Sequence, residues 1–79
     1  MRRPRVASGY VVCLSDGGYR ASLVVRRIYR TVPDEAAGTR GLLRVIDESG
    51  EDYLYPQDYF RLIELPIGLA ELYSKANRA

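Results

Sequence analysis

The sequence predicts one small, mainly β domain: a closed barrel of about five short strands. Three observations lead there. The chain has 79 residues, enough for one core. Its apolar residues fall in short β-branched and aromatic runs, each bounded by Gly, Pro or Asp. The connections between those runs are tight, and closing the sheet would remove exposed edges.

Taken in order, residues 1–8 read as a flexible basic arm holding Arg2, Arg3, Pro4 and Arg5. Residues 9–65 read as the barrel, and 66–79 as a C-terminal tail. Tyr10 to Leu14 is a strand by composition, and Ser15-Asp16-Gly17-Gly18 a turn, because its glycines tolerate positive φ. A β-favouring run from Ala21 to Val32 is interrupted at Arg26-Arg27. Strict alternation would put Arg27 on the face of Leu23 and Val25, so a local turn or bulge there resets the register. Pro33 ends this element, since proline has no N–H to donate. One helical turn is allowed at Glu35-Ala36-Ala37.

Gly41 to Asp47 is the next strand, joined by Glu48-Ser49-Gly50-Glu51 to a strand over 52–55 in a hairpin whose Gly50 is expected at positive φ. Pro56 to Phe60 reads as a single tight turn and Arg61 to Glu64 as the final strand. Beyond Pro66, Leu69, Leu72 and Tyr73 fall at helical spacing and allow a short helix. The apolar runs nominate a core of Val12, Leu14, Leu23, Val25, Ile28, Val45, Leu54, Phe60 and Ile63. Tyr53 and Tyr55 share one face of their strand and Leu54 the other, with the core side left open.

Composition bounds the function. There is one cysteine and no histidine, so neither a disulfide nor a zinc cage can form within one chain, and no cofactor is implied. Cys13 lies in the run Tyr10 to Leu14 and reads as a core thiol without a histidine base to activate it. No catalytic constellation is visible, so the expectation is a protein that is not an enzyme. Apolar runs near Met1 are too short for a signal-peptide core or a membrane span, which leaves cytoplasm as the expected compartment and no membrane partner.

Net charge is +2, carried almost wholly by arginine, with Lys75 the one lysine. The main basic feature is Arg20, Arg26, Arg27 and Arg30, joined by the arm. Such arginines, together with the seven tyrosines, suit a protein-binding surface, whether for a partner or for self-association. They also suit phosphate tracking with base stacking on RNA or DNA, the alternative reading. The acidic group Asp47, Glu48, Glu51 and Asp52 lacks the alternating spacing of a calcium loop and reads as a solvated hairpin.

The segment Tyr55-Pro56-Gln57-Asp58-Tyr59-Phe60-Arg61-Leu62-Ile63 resembles the C-terminal signature of Src-homology-3 (SH3) domains. There, proline starts a 3₁₀ turn between the last two strands, and the tyrosine and the following apolar residue pack on opposite sides of it. Leu23 to Tyr29 is similar to the stretch leading through the diverging turn of those domains. The resemblance implies an SH3-like barrel and adds Tyr59 to the arginine surface. The long acidic loop and the groove tryptophan of that family are absent, so it does not carry over proline-peptide binding. The stretch Gly41 to Pro56 also resembles a set of short bacterial proteins, which implies no activity. A third reading, an oligomeric small-molecule-binding or reductase-type barrel, rests on the place of Tyr53-Leu54-Tyr55 before a proline, as in the type II dihydrofolate reductases. The glutamine and isoleucine that contact ligands in those enzymes are not matched here.

Overall fold

A computed structural model describes residues 6–76, with side chains described for 9–73. Five strands, β1 (Val6–Cys13), β2 (Ile28–Val32), β3 (Leu42–Ile46), β4 (Asp52–Pro56) and β5 (Phe60–Pro66), form one antiparallel sheet in the order β4-β3-β2-β1-β5. Two short helices, α1 (Glu35–Thr39) and α2 (Ile67–Ala76), and a 3₁₀ turn (Gln57–Tyr59) complete it. Among the described residues β4 and β5 share no ladder, so the sheet is open. The arm expected over 1–8 overlaps the sheet, because Val6 to Ser8 belong to β1 and Val6 pairs with Pro66; Arg2, Arg3 and Arg5 lie outside the described residues.

The sheet is bent rather than flat. Ile28 to Arg30 pair with β1, whereas Thr31 and Val32 pair with β3. β1 carries a register shift between Ala7 and Tyr10, with Gly9 inside it at φ +88°. An extra residue in one strand kinks the ladder, and glycine takes that backbone without a Cβ penalty.

One core cluster therefore draws on every strand: Val11 and Cys13, Tyr29, Val45, Tyr55 and Phe60, with Leu23 from the β1–β2 connection. Tyr55 and Phe60, on the two end strands, stand 6.1 Å apart ring to ring, edge on. A second cluster, Tyr10, Leu65 and Ala70 with Ile28, Ile63 and Tyr73 against it, seats α2 on the other face. Tyr10 donates its hydroxyl hydrogen to the Ala70 carbonyl at 3.2 Å.

Of the expected core, Leu23, Val45 and Phe60 are buried and Val12, Ile28 and Ile63 partly so. Leu14, Val25 and Leu54 are exposed, at 48%, 43% and 40%. Leu14 stands just beyond β1. Val25 sits in a turn, because the run from Ala21 does not become strand until Ile28. There the chain turns back on itself, with the Ser22 and Leu23 amides both donating to the Tyr19 carbonyl. Leu54 faces outward because its neighbour Tyr55, on the opposite face of β4, is the strand's buried residue; Tyr53, on the Tyr55 face by alternation, stays half-exposed. α2 likewise turns Ala70 and Tyr73 inward and leaves Leu69 and Leu72 exposed, so the expected leucine stripe is not its buried face.

Candidate binding surface

The β1–β2 connection is pinned at both ends by backbone hydrogen bonds. At its start the Leu14 and Ser15 amides donate to the Tyr59 carbonyl, at 2.7 and 3.2 Å. At its end the Arg26 amide donates to the Cys13 carbonyl at 2.7 Å and the Cys13 amide to the Arg27 carbonyl at 2.9 Å. A turn from Val24 to Arg27 closes the connection and leaves Arg26 at φ +74°. That is the left-handed region, where Cβ approaches the following carbonyl oxygen. Arg26 is the single non-glycine residue so placed among those described.

The neighbouring arginine is spoken for. Arg27 Nη1 donates to both oxygens of Glu48, at 3.0 and 3.2 Å. The Tyr29 hydroxyl donates to the same carboxylate and accepts from the Val24 amide at 2.8 Å. Burial, followed by the hydrogen bond to Glu48, raises the Tyr29 phenol well above its ordinary range. Arg26 is exposed, and no carboxylate lies within ion-pair distance of it among the described residues. Arg26 and Arg27 line a surface depression with Ile28, Glu48 and Tyr73.

The other residues of the expected surface do other things. Arg20 is exposed in the turn after Tyr19. Arg30 stands opposite Tyr10 in the ladder, half-buried, with its Nε buried and without an acceptor among the described residues. Tyr59 packs beside Phe60 and against the backbone of Gly17, where an added Cβ would come within 2.2 Å of the phenol ring. Of the five, Arg26 and Arg27 are the two that line this depression.

Sequence reasoning missed Glu48 and Tyr73 as members of the site. The available signals were the charge complementarity of Arg27 and Glu48 and the place of Tyr73 three residues after Ala70. The solvated hairpin also needs correction. Asp47 is only 2% exposed, with Oδ1 accepting from the Ser49 amide at 2.8 Å and the Ser49 hydroxyl at 2.5 Å. Oδ2 accepts from the Tyr55 hydroxyl at 2.6 Å. Three donors replace the water a buried carboxylate loses. Asp52 pairs with Arg44 at 3.1 Å, and Arg44 also reaches Asp34 at 2.9 Å. The Ala37 amide and then Arg44 hold the Asp34 carboxyl below its ordinary value. Glu51 is exposed and makes no ion pair among the described residues.

Cys13 is fully buried, its thiol raised by that burial and donating to the Ser15 carbonyl at 3.3 Å. No group of three His, Cys, Asp or Glu side chains able to hold a metal ion occurs among the described residues. No helix among them is long and apolar enough to cross a membrane. No family model matches the chain, and neither a curated protein nor a solved structure does. The geometry defines a small, mainly β domain with a cationic turn at one end of its β1–β2 connection.

Proposed function

We propose that the chain is a non-enzymatic protein-interaction module, built on a partly open SH3-like barrel, that meets an acidic partner through the Arg26–Arg27 turn. Support for the barrel comes from the core cluster, which takes side chains from all five strands and brings Tyr55 and Phe60 together across the two ends of the sheet. The 3₁₀ turn at Gln57–Tyr59 falls inside the segment that resembles the SH3 signature.

The observation that carries the contact surface is the backbone of Arg26. A left-handed residue with a Cβ costs roughly 1–2 kcal/mol, which glycine would avoid. Here the position holds an exposed cation with no intramolecular ion pair among the described residues. Such local strain is characteristic of residues kept for contact. Arg27, tied to Glu48, gives the turn a fixed neighbour, and Ile28 and Tyr73 supply apolar and aromatic surface beside it. The carboxylates of Glu48 and Glu51 on the adjoining hairpin oppose a long polyanion more than a compact acidic patch.

The test is capture by the immobilised chain against an Arg26→Gly variant. A protein retained by the parent at moderate ionic strength and lost from the variant is the expected result. Micromolar binding to random single-stranded RNA at physiological salt, lost in the same variant, would replace the protein reading with a nucleic-acid one. That binding would weaken by about 0.7 log units per log unit of salt for each phosphate contact.

A further inference from the structure

A second depression lies between the β1–β2 connection and the β3–β4 hairpin, lined by Tyr19, Ser22, Asp47, Ser49, Tyr53 and Tyr55 together with Leu54. We infer that it binds an organic cation, the guanidinium or ammonium head of an arginine or lysine side chain from a partner protein. The inference is independent of the Arg26 turn.

The aromatic part comes first. Tyr19 and Tyr55 meet edge on, with ring centroids 5.5 Å apart and planes at 78°. Tyr55 is buried, but Tyr19 and Tyr53 are 53% and 50% exposed. Two large rings from separate segments are thus left to solvent around one hollow. Isolated exposed aromatics need no explanation, but several converging on a single depression do. The face of a phenol ring carries negative potential and attracts a cation within about 6 Å of its centroid.

The charge comes second. The Asp47 carboxylate lining this hollow is held by neutral donors alone: the Ser49 amide, the Ser49 hydroxyl and the Tyr55 hydroxyl. Among the described residues no Arg or Lys nitrogen comes within 4.0 Å of it. Burial followed by the Asp47 hydrogen bond pushes the Tyr55 phenol up to about 12, so at neutral pH it stays a proton donor. Hydrogen bonds of this kind stabilise the carboxylate without cancelling its charge. Its field emerges in a partly desolvated hollow, where it is screened less than in open water. Exposed Glu51 on the same hairpin adds to it.

An anion would meet this charge directly, and an apolar ligand would cover the hollow while leaving the charge of Asp47 without a counter-charge. A single metal ion would find one carboxylate whose oxygens both already accept hydrogen bonds. An alkylated or delocalised cation satisfies both features, stacking on the rings while its charge faces Asp47.

The test follows backbone amide NMR shifts of the full chain during titration with Nα-acetyl-arginine amide, and in parallel with its neutral isostere Nα-acetyl-citrulline amide. Expected are saturable shifts centred on Tyr19, Ser22, Ser49 and Tyr53, with citrulline at least about tenfold weaker. Tyr53→Leu, at a half-exposed position, should keep the melting temperature and weaken arginine binding by about threefold to thirtyfold. Absence of saturable shifts, equal response to citrulline, or undiminished binding in Tyr53→Leu would overturn the site. Shifts at these residues that grow with protein concentration before any probe is added would assign the cation to a second copy and overturn the partner.

Discussion

Removing a single oxygen atom tests how the hairpin is anchored. In Tyr55→Phe the ring keeps its edge contacts with Tyr19 and Phe60, so packing is largely preserved. What disappears is the 2.6 Å hydrogen bond to Asp47, whose side chain is buried at 2% exposure. Asp47 Oδ2 then has no donor among the described residues. A hydrogen bond to a charged group contributes about 1.5–3 kcal/mol, and leaving the buried partner unmet sets the loss toward the upper end, about 2–3 kcal/mol. A domain of this length has a total stability of about 4–12 kcal/mol. The substitution therefore removes roughly a sixth or more of the margin and should lower Tm by about 10–20 °C. Thermal and urea unfolding of parent and variant measure it directly. In an Asp47→Asn background the same Tyr55→Phe change should cost distinctly less, since the buried charge is gone. A Tm drop under about 2 °C, or equal costs in both backgrounds, would show that the Tyr55–Asp47 hydrogen bond does not anchor the hairpin.

Two further expectations follow from the same core. Phe60→Ala should cost about 3–5 kcal/mol, because the ring packs between Tyr55 and Tyr59 at 8% exposure; an unchanged melt would contradict the inward placement of β5. At alkaline pH the sign is fixed by Tyr29 and Tyr55, both raised above the ordinary phenol value by burial and a carboxylate acceptor, Tyr55 to about 12. Their contribution is fully present below pH 10 and is lost as pH rises toward and through the folded-state values, since only the unfolded chain releases those protons early. Phenolate absorbance of the folded protein should lag that of the unfolded chain by two tyrosines, and superimposable curves would count against both hydrogen-bonded phenols.

Punctuation was legible in the sequence where backbone chemistry is local. Pro56 marks the 3₁₀ turn, Gly50 sits at φ +83° as the hairpin requires, and the break at Arg26-Arg27 is a turn that lets Ile28 to Val32 form β2. What could not be read depends on partners distant in the chain. Alternation pairs Tyr53 with Tyr55, but which face of β4 turns inward is decided by Phe60 and Tyr29 on other strands. Asp47 looks like one solvated carboxylate among four until Tyr55 folds over it. Ala21 to Val25 has strand composition, yet its Ser22 carbonyl is taken by the Glu48 amide and its Val24 amide by the Tyr29 hydroxyl. In the candidate site, sequence grouped four arginines by proximity along the chain. The fold divides them, because Arg30 faces opposite to Tyr29 on a strand while Arg26 and Arg27 stand in a turn.

On the proposed reading, Arg26 is kept in a left-handed backbone for contact at some expense of stability. Arg26→Gly separates the two effects when unfolding and partner capture are measured on the same preparation. Relief of the Cβ strain, less the extra backbone entropy glycine brings to the unfolded chain, gives a net gain of about 0.5–1 kcal/mol. Expected for Arg26→Gly are a Tm equal to or a few degrees above the parent and loss of the captured protein. A variant that is less stable, or one that captures the same protein as well as the parent, contradicts it.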